Sequence, residues 1–230
     1  MNIDNSFRKL TAIFAITAGV LALLSLVVGL SGVNYDFEVF SDTSSLIAAG
    51  STAGNAIRWS YWFNMLGNYL LLIPLALLLF QWLKSVNSSF AELYTLSGLI
   101  YLILGATGSA ILAATWPFLI DQFEVASTAA REFLVIEFQV VNAIAEKGLH
   151  GVLQNLAGAI WFLGIGYLLR SKHMGVGNFA FAIGVFLVLN TVGNVFNIEA
   201  LSLLGLTANI LLGPIWSILI GIFLIKGNLE

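Results

Sequence analysis

The stretch WSYWFNMLGNYLLLIPLALLLFQWL, residues 59–83, runs twenty-five positions without an Asp, Glu, Lys or Arg. A helix that crosses a bilayer core of about 30 Å needs about 20 such residues, so this segment predicts a transmembrane helix. Its second half, LLLIPLALLLF (70–80), is apolar on every face, which excludes the polar–apolar alternation of a membrane barrel strand. Its first half is different: Tyr61, Asn64 and Asn68 recur at i, i+3 and i+7 and share one helix face.

Five more charge-free runs flank it: Leu10–Tyr35, Leu93–Ile120, Gly148–Leu169, Met174–Ile198 and Ala200–Ile225. The expected fold is therefore all-α, an integral membrane bundle of six transmembrane helices forming one domain over residues 1–230. Composition agrees. Of 230 residues, 59% are hydrophobic and 9% charged, with mean hydropathy +0.96, against about 25% charged in a soluble domain. The first run exceeds the roughly 7–15 apolar residues of a signal-peptide core, and no Ala-x-Ala follows it, so it is read as a helix of the mature chain. Thr43–Ile57, TSSLIAAGSTAGNAI, lacks charge but is too rich in Ser, Thr, Gly and Ala to span, and is expected as a loop.

Basic residues set the expected orientation. With both termini inside, Arg8, Lys9, Lys84, Arg170, Lys172 and Lys226 fall inside and Arg58, Arg131 and Lys147 outside, so six bases face three. The positive-inside rule then gives an N-in/C-in protein with both termini cytoplasmic. Nine acids, from Asp36 to Glu199, fall on the outer side. Outer connections are long. Within the second of them, Phe133, Ile136, Val140, Val141 and Ile144 form an apolar stripe, which predicts an amphipathic helix near 128–147 lying on or capping the outer surface. Its acidic character favours the bundle or a partner subunit over anionic headgroups.

Polar residues inside hydrocarbon are costly, so their depth carries information. Asn64, Asn68, Gln154, Asn155, Asn190, Asn194 and Asn209 all fall roughly 6–14 Å below the outer boundary at about 1.5 Å rise per residue, with His150 at the mouth. Below them the helices hold almost no polar side chain. Pro74 and Pro214 should kink the second and sixth helices just beneath this layer. Asn64/Asn68 and Asn190/Asn194 echo each other, but both pairs sit toward the outside, which an inverted repeat would not give.

Two readings of the polar layer stay open: amides as interhelical glue worth about 0.6 kcal/mol each, or an outward-facing cavity walled in part by Trp116, Trp161 and Trp216. Asymmetry in depth favours looking for a cavity, since glue has no reason to avoid one leaflet. The residues chosen for a site that binds a small, neutral or amphiphilic ligand are Asn64, Asn68, His150, Gln154, Asn155, Asn190, Asn194 and Asn209, with the three tryptophans. A permease component and a structural subunit of a larger membrane complex are the alternatives.

Several chemistries find no support. The chain has no cysteine and two histidines, His150 and His173, on opposite sides, so no metal site is expected. No charged residue lies deep in a span to run a proton relay. Glu146 and His150 stand at i, i+4, close enough for a carboxylate to orient an imidazole, but no nucleophile motif accompanies them, and no catalysis and no cofactor are expected. A net charge of −3 predicts no nucleic-acid partner.

Between Gly148 and Phe196, the segment GLHGVLQNLAGAIWFLGIGYLLRSKHMGVGNFAFAIGVFLVLNTVGNVF ends one helix in Gly166-Tyr167-Leu168-Leu169-Arg170-Ser171, turns through a short basic loop and opens a Gly-containing helix. This pattern resembles a family of small bacterial multi-pass proteins known only as a domain of unknown function. The resemblance implies a six-span bacterial inner-membrane protein and brings no activity, cofactor or site residue.

Overall fold

The computed structural model describes residues 4–227; positions 1–3 and 228–230 of the single-domain reading lie outside the described residues. Everything regular in it is helical: α1 (Asn5–Ser31), α2 (Phe37–Ser41), α3 (Thr43–Ile47), α4 (Ser51–Asn64), α5 (Ile73–Leu83), α6 (Ser88–Val125), α7 (Thr128–Val141), α8 (Asn155–Leu169), α9 (Met174–Phe196) and α10 (Glu199–Ile225). Six continuous helical stretches are long and apolar enough to cross a membrane: Asn5–Ser31, Ser51–Leu83, Ser88–Val125, Thr128–Leu169, Met174–Phe196 and Glu199–Ile225. Side chains mark several starts. Asp4 accepts from the Ser6 amide at 2.9 Å, Asn87 from Phe90 at 3.1 Å and His173 from Val176 at 3.2 Å, each satisfying a donor the first helical turn leaves open.

Two spans depart from α geometry. In the second, α4 gives way to a π-helical turn over Met65–Tyr69 and a 3-10 turn over Leu70–Leu72 before α5 starts with Pro74 in its first turn. Proline cannot donate to the preceding turn, so the helix restarts there. In the fourth, Asn142–Gln154 is π-helical and joins α7 to α8. Pro214 behaves differently from Pro74, sitting inside an uninterrupted α10. Such π segments recur at functional sites because the widened turn re-aims side chains.

An even number of passes returns the two chain ends to one end of the bundle, where Gly227 lies beside the Arg8 guanidinium. That end also carries Lys84 and Arg170 and is called the basic end below; the opposite end carries the nine acids counted above. At the basic end α1 lies against α10: a Cβ on Gly221 would stand 2.8 Å from the Ala12 carbonyl, and one on Gly19 2.5 Å from that of Pro214. Beyond Pro214 the helices part. There α1 leans on α4, where Ser60 Oγ donates to the Ser25 carbonyl at 2.7 Å, and α10 leans on α9, where Gly205 meets the Asn190 backbone.

Two apolar cores result. One fills the middle and basic end of the bundle, with Leu72, Leu75, Leu79, Trp161, Phe162 and Trp216 among its buried residues. The other lies at the acidic end, where Leu46, Ile47, Ile57, Trp116, Ile120 and Phe138 pack together. This second core corrects the loop expected over Thr43–Ile57. Asp42 caps α3 through Ser44 Oγ at 2.5 Å and Ser45 N at 2.8 Å, and Ser51–Ile57 is the first part of α4, burying Ala53, Gly54 and Ile57. A segment too polar to span still folds as helix when it has an apolar face to bury.

The amphipathic segment near 128–147 is helical, as its apolar stripe predicts. It is α7 and the first part of the π segment, continuous with the fourth span in a helical stretch of 42 residues. At about 1.5 Å per residue this is roughly 60 Å, twice a bilayer core, so one end projects past the hydrocarbon. The face that packs inward is Leu134, Phe138, Val141 and Ala145. Phe133, Ile136, Val140 and Ile144 of the expected stripe face away from the bundle, each more than half exposed.

Candidate functional site

Parting of α1 from α10 beyond Pro214 leaves a cavity of about 170 Å³ between the first, second, fourth and sixth spans. Its walls are of two kinds. Tyr61, Asn64, Asn68 and Tyr69 from the second span and Glu146 and His150 from the fourth form a polar wall, and Leu26, Leu206 and Ile210 form an apolar one. Leu206 and Ile210 are exposed on the outside of the bundle, so the apolar lip lies on the lipid-facing side. Toward the basic end the second span continues through Leu72, Leu75, Ala76 and Leu79, all buried.

The polar wall is an ordered network. Asn64 donates to Ser109 Oγ at 2.8 Å, tying the second span to α6, and Asn68 donates to Asn64 Oδ1 at 2.6 Å. Behind them Tyr69, 5% exposed, links three elements: its hydroxyl pairs with Gln154 Nε2 at 3.1 Å, lies 3.5 Å from His150 Nδ1, and its ring stands edge-on to Tyr101. Both π segments contribute, Tyr69 from one and Glu146, His150 and Gln154 from the other. His150 is pressed against Gly108 of α6, where a side chain would strike its imidazole. Two polar atoms of this wall are buried without a hydrogen-bond partner, Glu146 Oε2 and His150 Nε2.

Eight polar residues chosen from sequence thus separate into groups. Asn64, Asn68 and His150 line the cavity, and Gln154 supports it from behind. Asn155, Asn190 and Asn194 form a second cluster outside it: Asn155 donates to Asn190 Oδ1 at 2.6 Å, Asn194 to the same oxygen at 2.7 Å and to the Gly151 carbonyl at 3.2 Å, and Asn190 to the Ser202 carbonyl at 2.9 Å. These amides satisfy one another and lock α8, α9 and α10 together. Asn194 also edges a shallow polar recess with Lys147, Asn197 and Glu199. Asn209 donates to Gly205 of its own helix at 2.8 Å, and its Oδ1 is buried without a partner.

None of the three tryptophans walls the cavity, a correction that follows from bulk: an indole fills a core better than it borders a small void. Trp116 stacks on Phe138 at 5.0 Å in the acidic-end core, with Tyr61 against its edge at 5.4 Å. Trp161 is fully buried beside Phe162, its Nε1 without a partner. Trp216 donates to the Val176 carbonyl at 3.4 Å and borders a different recess at the basic end, with His173, Phe223 and Lys226.

Sequence reasoning missed Tyr69 as the hub and placed Glu146 only as the i, i+4 neighbour of His150, not in the site. A tyrosine in mid-span whose hydroxyl needs a buried partner was the available signal for the first. Among the described residues no group of three His, Cys, Asp or Glu side chains converges as metal ligands would.

The family model of a domain of unknown function, DUF4386, matches residues 17–227. The chain belongs to this family. No curated protein and no solved structure matches it.

Proposed function

We propose that this DUF4386 protein binds a small amphiphile whose head enters the cavity beside Asn64, Asn68 and His150 while its tail lies over Leu206 and Ile210. The observation that carries this reading is the two-sided wall: ordered polar groups face inward and exposed leucine and isoleucine form the lip. A water-soluble solute would gain nothing from that lip, whereas an amphiphile matches both halves. The cavity is small, below the roughly 300–1,000 Å³ of sites for drug-sized molecules, so it accommodates a head group rather than a whole ligand. The packed layer of Leu72, Leu75 and Leu79 beneath it favours binding over passage through the bundle.

In this reading the protein is not an enzyme, and it lies in the bacterial inner membrane with its basic end in the cytoplasm, as the positive-inside rule requires. The cavity then serves the outer leaflet. A partner subunit is a second role, favoured by the unpaired stripe of Phe133, Ile136, Val140 and Ile144 on a helix that projects beyond the hydrocarbon.

Heat stability in phosphatidylglycerol nanodiscs tests the binding role. Decylamine or monodecanoylglycerol should raise the melting temperature of the wild type and not of Asn68→Leu, which stays folded. Equal responses from both proteins, or no response from either, contradict it.

A further inference from the structure

The cavity wall carries one carboxylate and, among the described residues, no lysine or arginine. Glu146 Oε2 is buried there without a hydrogen-bond partner. None of the hydrogen bonds made by the neighbouring amides and serines reaches it. Asn64 donates to Ser109, Asn68 to Asn64, Ser60 to the Ser25 carbonyl and Ser25 to the Ala22 carbonyl. A carboxylate oxygen held away from water costs free energy until a donor, best a cationic one, reaches it.

Two aromatic rings complete the chemistry. Tyr61 and Tyr69 line the same space, and the face of a tyrosine attracts a cation that has left water. The surrounding end of the molecule carries nine acids against three bases, a field that concentrates cations at the mouth. Resting on the binding role proposed above, we infer that the ligand's head is a protonated amine, with Glu146 as its counter-ion and Tyr61 and Tyr69 as its aromatic walls. An anionic head would meet the carboxylate with nothing to offset it, and a neutral hydroxyl head would give it a hydrogen bond but no counter-charge.

Binding of decylamine and of its uncharged counterpart monodecanoylglycerol to the full chain in phosphatidylglycerol nanodiscs separates the possibilities. The wild type should hold decylamine more tightly than monodecanoylglycerol. Glu146→Gln, which keeps the shape and removes the charge, should lose about tenfold or more in decylamine affinity, the size of one hydrogen bond to a charged group. A much smaller loss in monodecanoylglycerol affinity would tie the effect to the charge and show that the cavity still binds a decyl amphiphile. Equal binding of decylamine to both proteins, with monodecanoylglycerol bound as well, overturns the amine inference and leaves the amphiphile site standing. Failure of both probes to bind the wild type overturns both. Adding phosphatidylethanolamine to the nanodisc identifies the source of the amine: competition with decylamine assigns it to a lipid headgroup, and an unchanged affinity assigns it to a free amphiphile.

Discussion

Asn155 donates to Asn190 Oδ1 at 2.6 Å, and this bond separates two kinds of buried amide that look alike in sequence. Asn190 accepts from Asn155 and Asn194 and donates to Ser202, joining three helices, whereas Asn68 has one bond, to Asn64 on its own span. Asn190→Leu strips partners from two other amides and should cost about 1–3 kcal/mol of unfolding free energy. Asn68→Leu should cost under about 1 kcal/mol. Chemical unfolding of both variants in the same detergent checks the contrast, and equal losses would show that the cavity amides are structural too.

Gly67 lets α1 approach the second span at the depth of the cavity. A Cβ there would stand 2.5 Å from the Ala22 nitrogen and 2.8 Å from the Ala18 carbonyl, backbone atoms that cannot turn aside. Gly67→Ala should therefore destabilise by about 1–3 kcal/mol or more through overpacking. An unchanged melting temperature would mean that the two helices are not in contact as described.

Tyr69→Phe removes the hydroxyl that satisfies the Gln154 amide, a side chain only 4% exposed. A buried donor left without a partner costs about 1–3 kcal/mol. Loss of that order in thermal unfolding is expected, and Gln154→Leu introduced with Tyr69→Phe should recover part of it, since no amide then remains to satisfy.

Asp42 caps α3 in solvent, and hydrogen bonds from Ser44 and Ser45 hold its carboxyl down from 3.8 to about 2. A lowered folded value means that the cap's contribution is complete above the ordinary value and is lost as pH falls through about 2. A carboxyl titration followed by NMR should show a midpoint near 2 for the wild type, moving toward 3.8 when both serines become alanine. A wild-type midpoint already at 3.8 would remove the cap.

Much of this architecture was legible in the sequence because hydrocarbon is a strict solvent: a run such as Leu70–Phe80 has one stable environment. Thr43–Ile57 was not legible, since its helices depend on an apolar core formed with Trp116 and Phe138 from distant positions. Residue counting puts the amides nearer the acidic end of their spans, but their division could not be read from it. Asn64/Asn68 and Asn190/Asn194 have identical spacing, and only the helix opposite each pair decides whether it meets a partner or a void. The π segments also escaped notice, because no residue type marks a widened turn. They bring Tyr69, Glu146 and His150 around one space.

Photolabelling tests the central claim, an amphiphile site at the cavity, most directly. A decyl amphiphile with a diazirine at its chain end, added to the protein in nanodiscs, should label the outer parts of α1 and α10 around Leu26, Leu206 and Ile210, and Asn68→Leu should abolish that labelling. Label spread evenly over exposed positions such as Leu96, Ile100 and Ile103 of α6, and unchanged in the variant, would contradict the account.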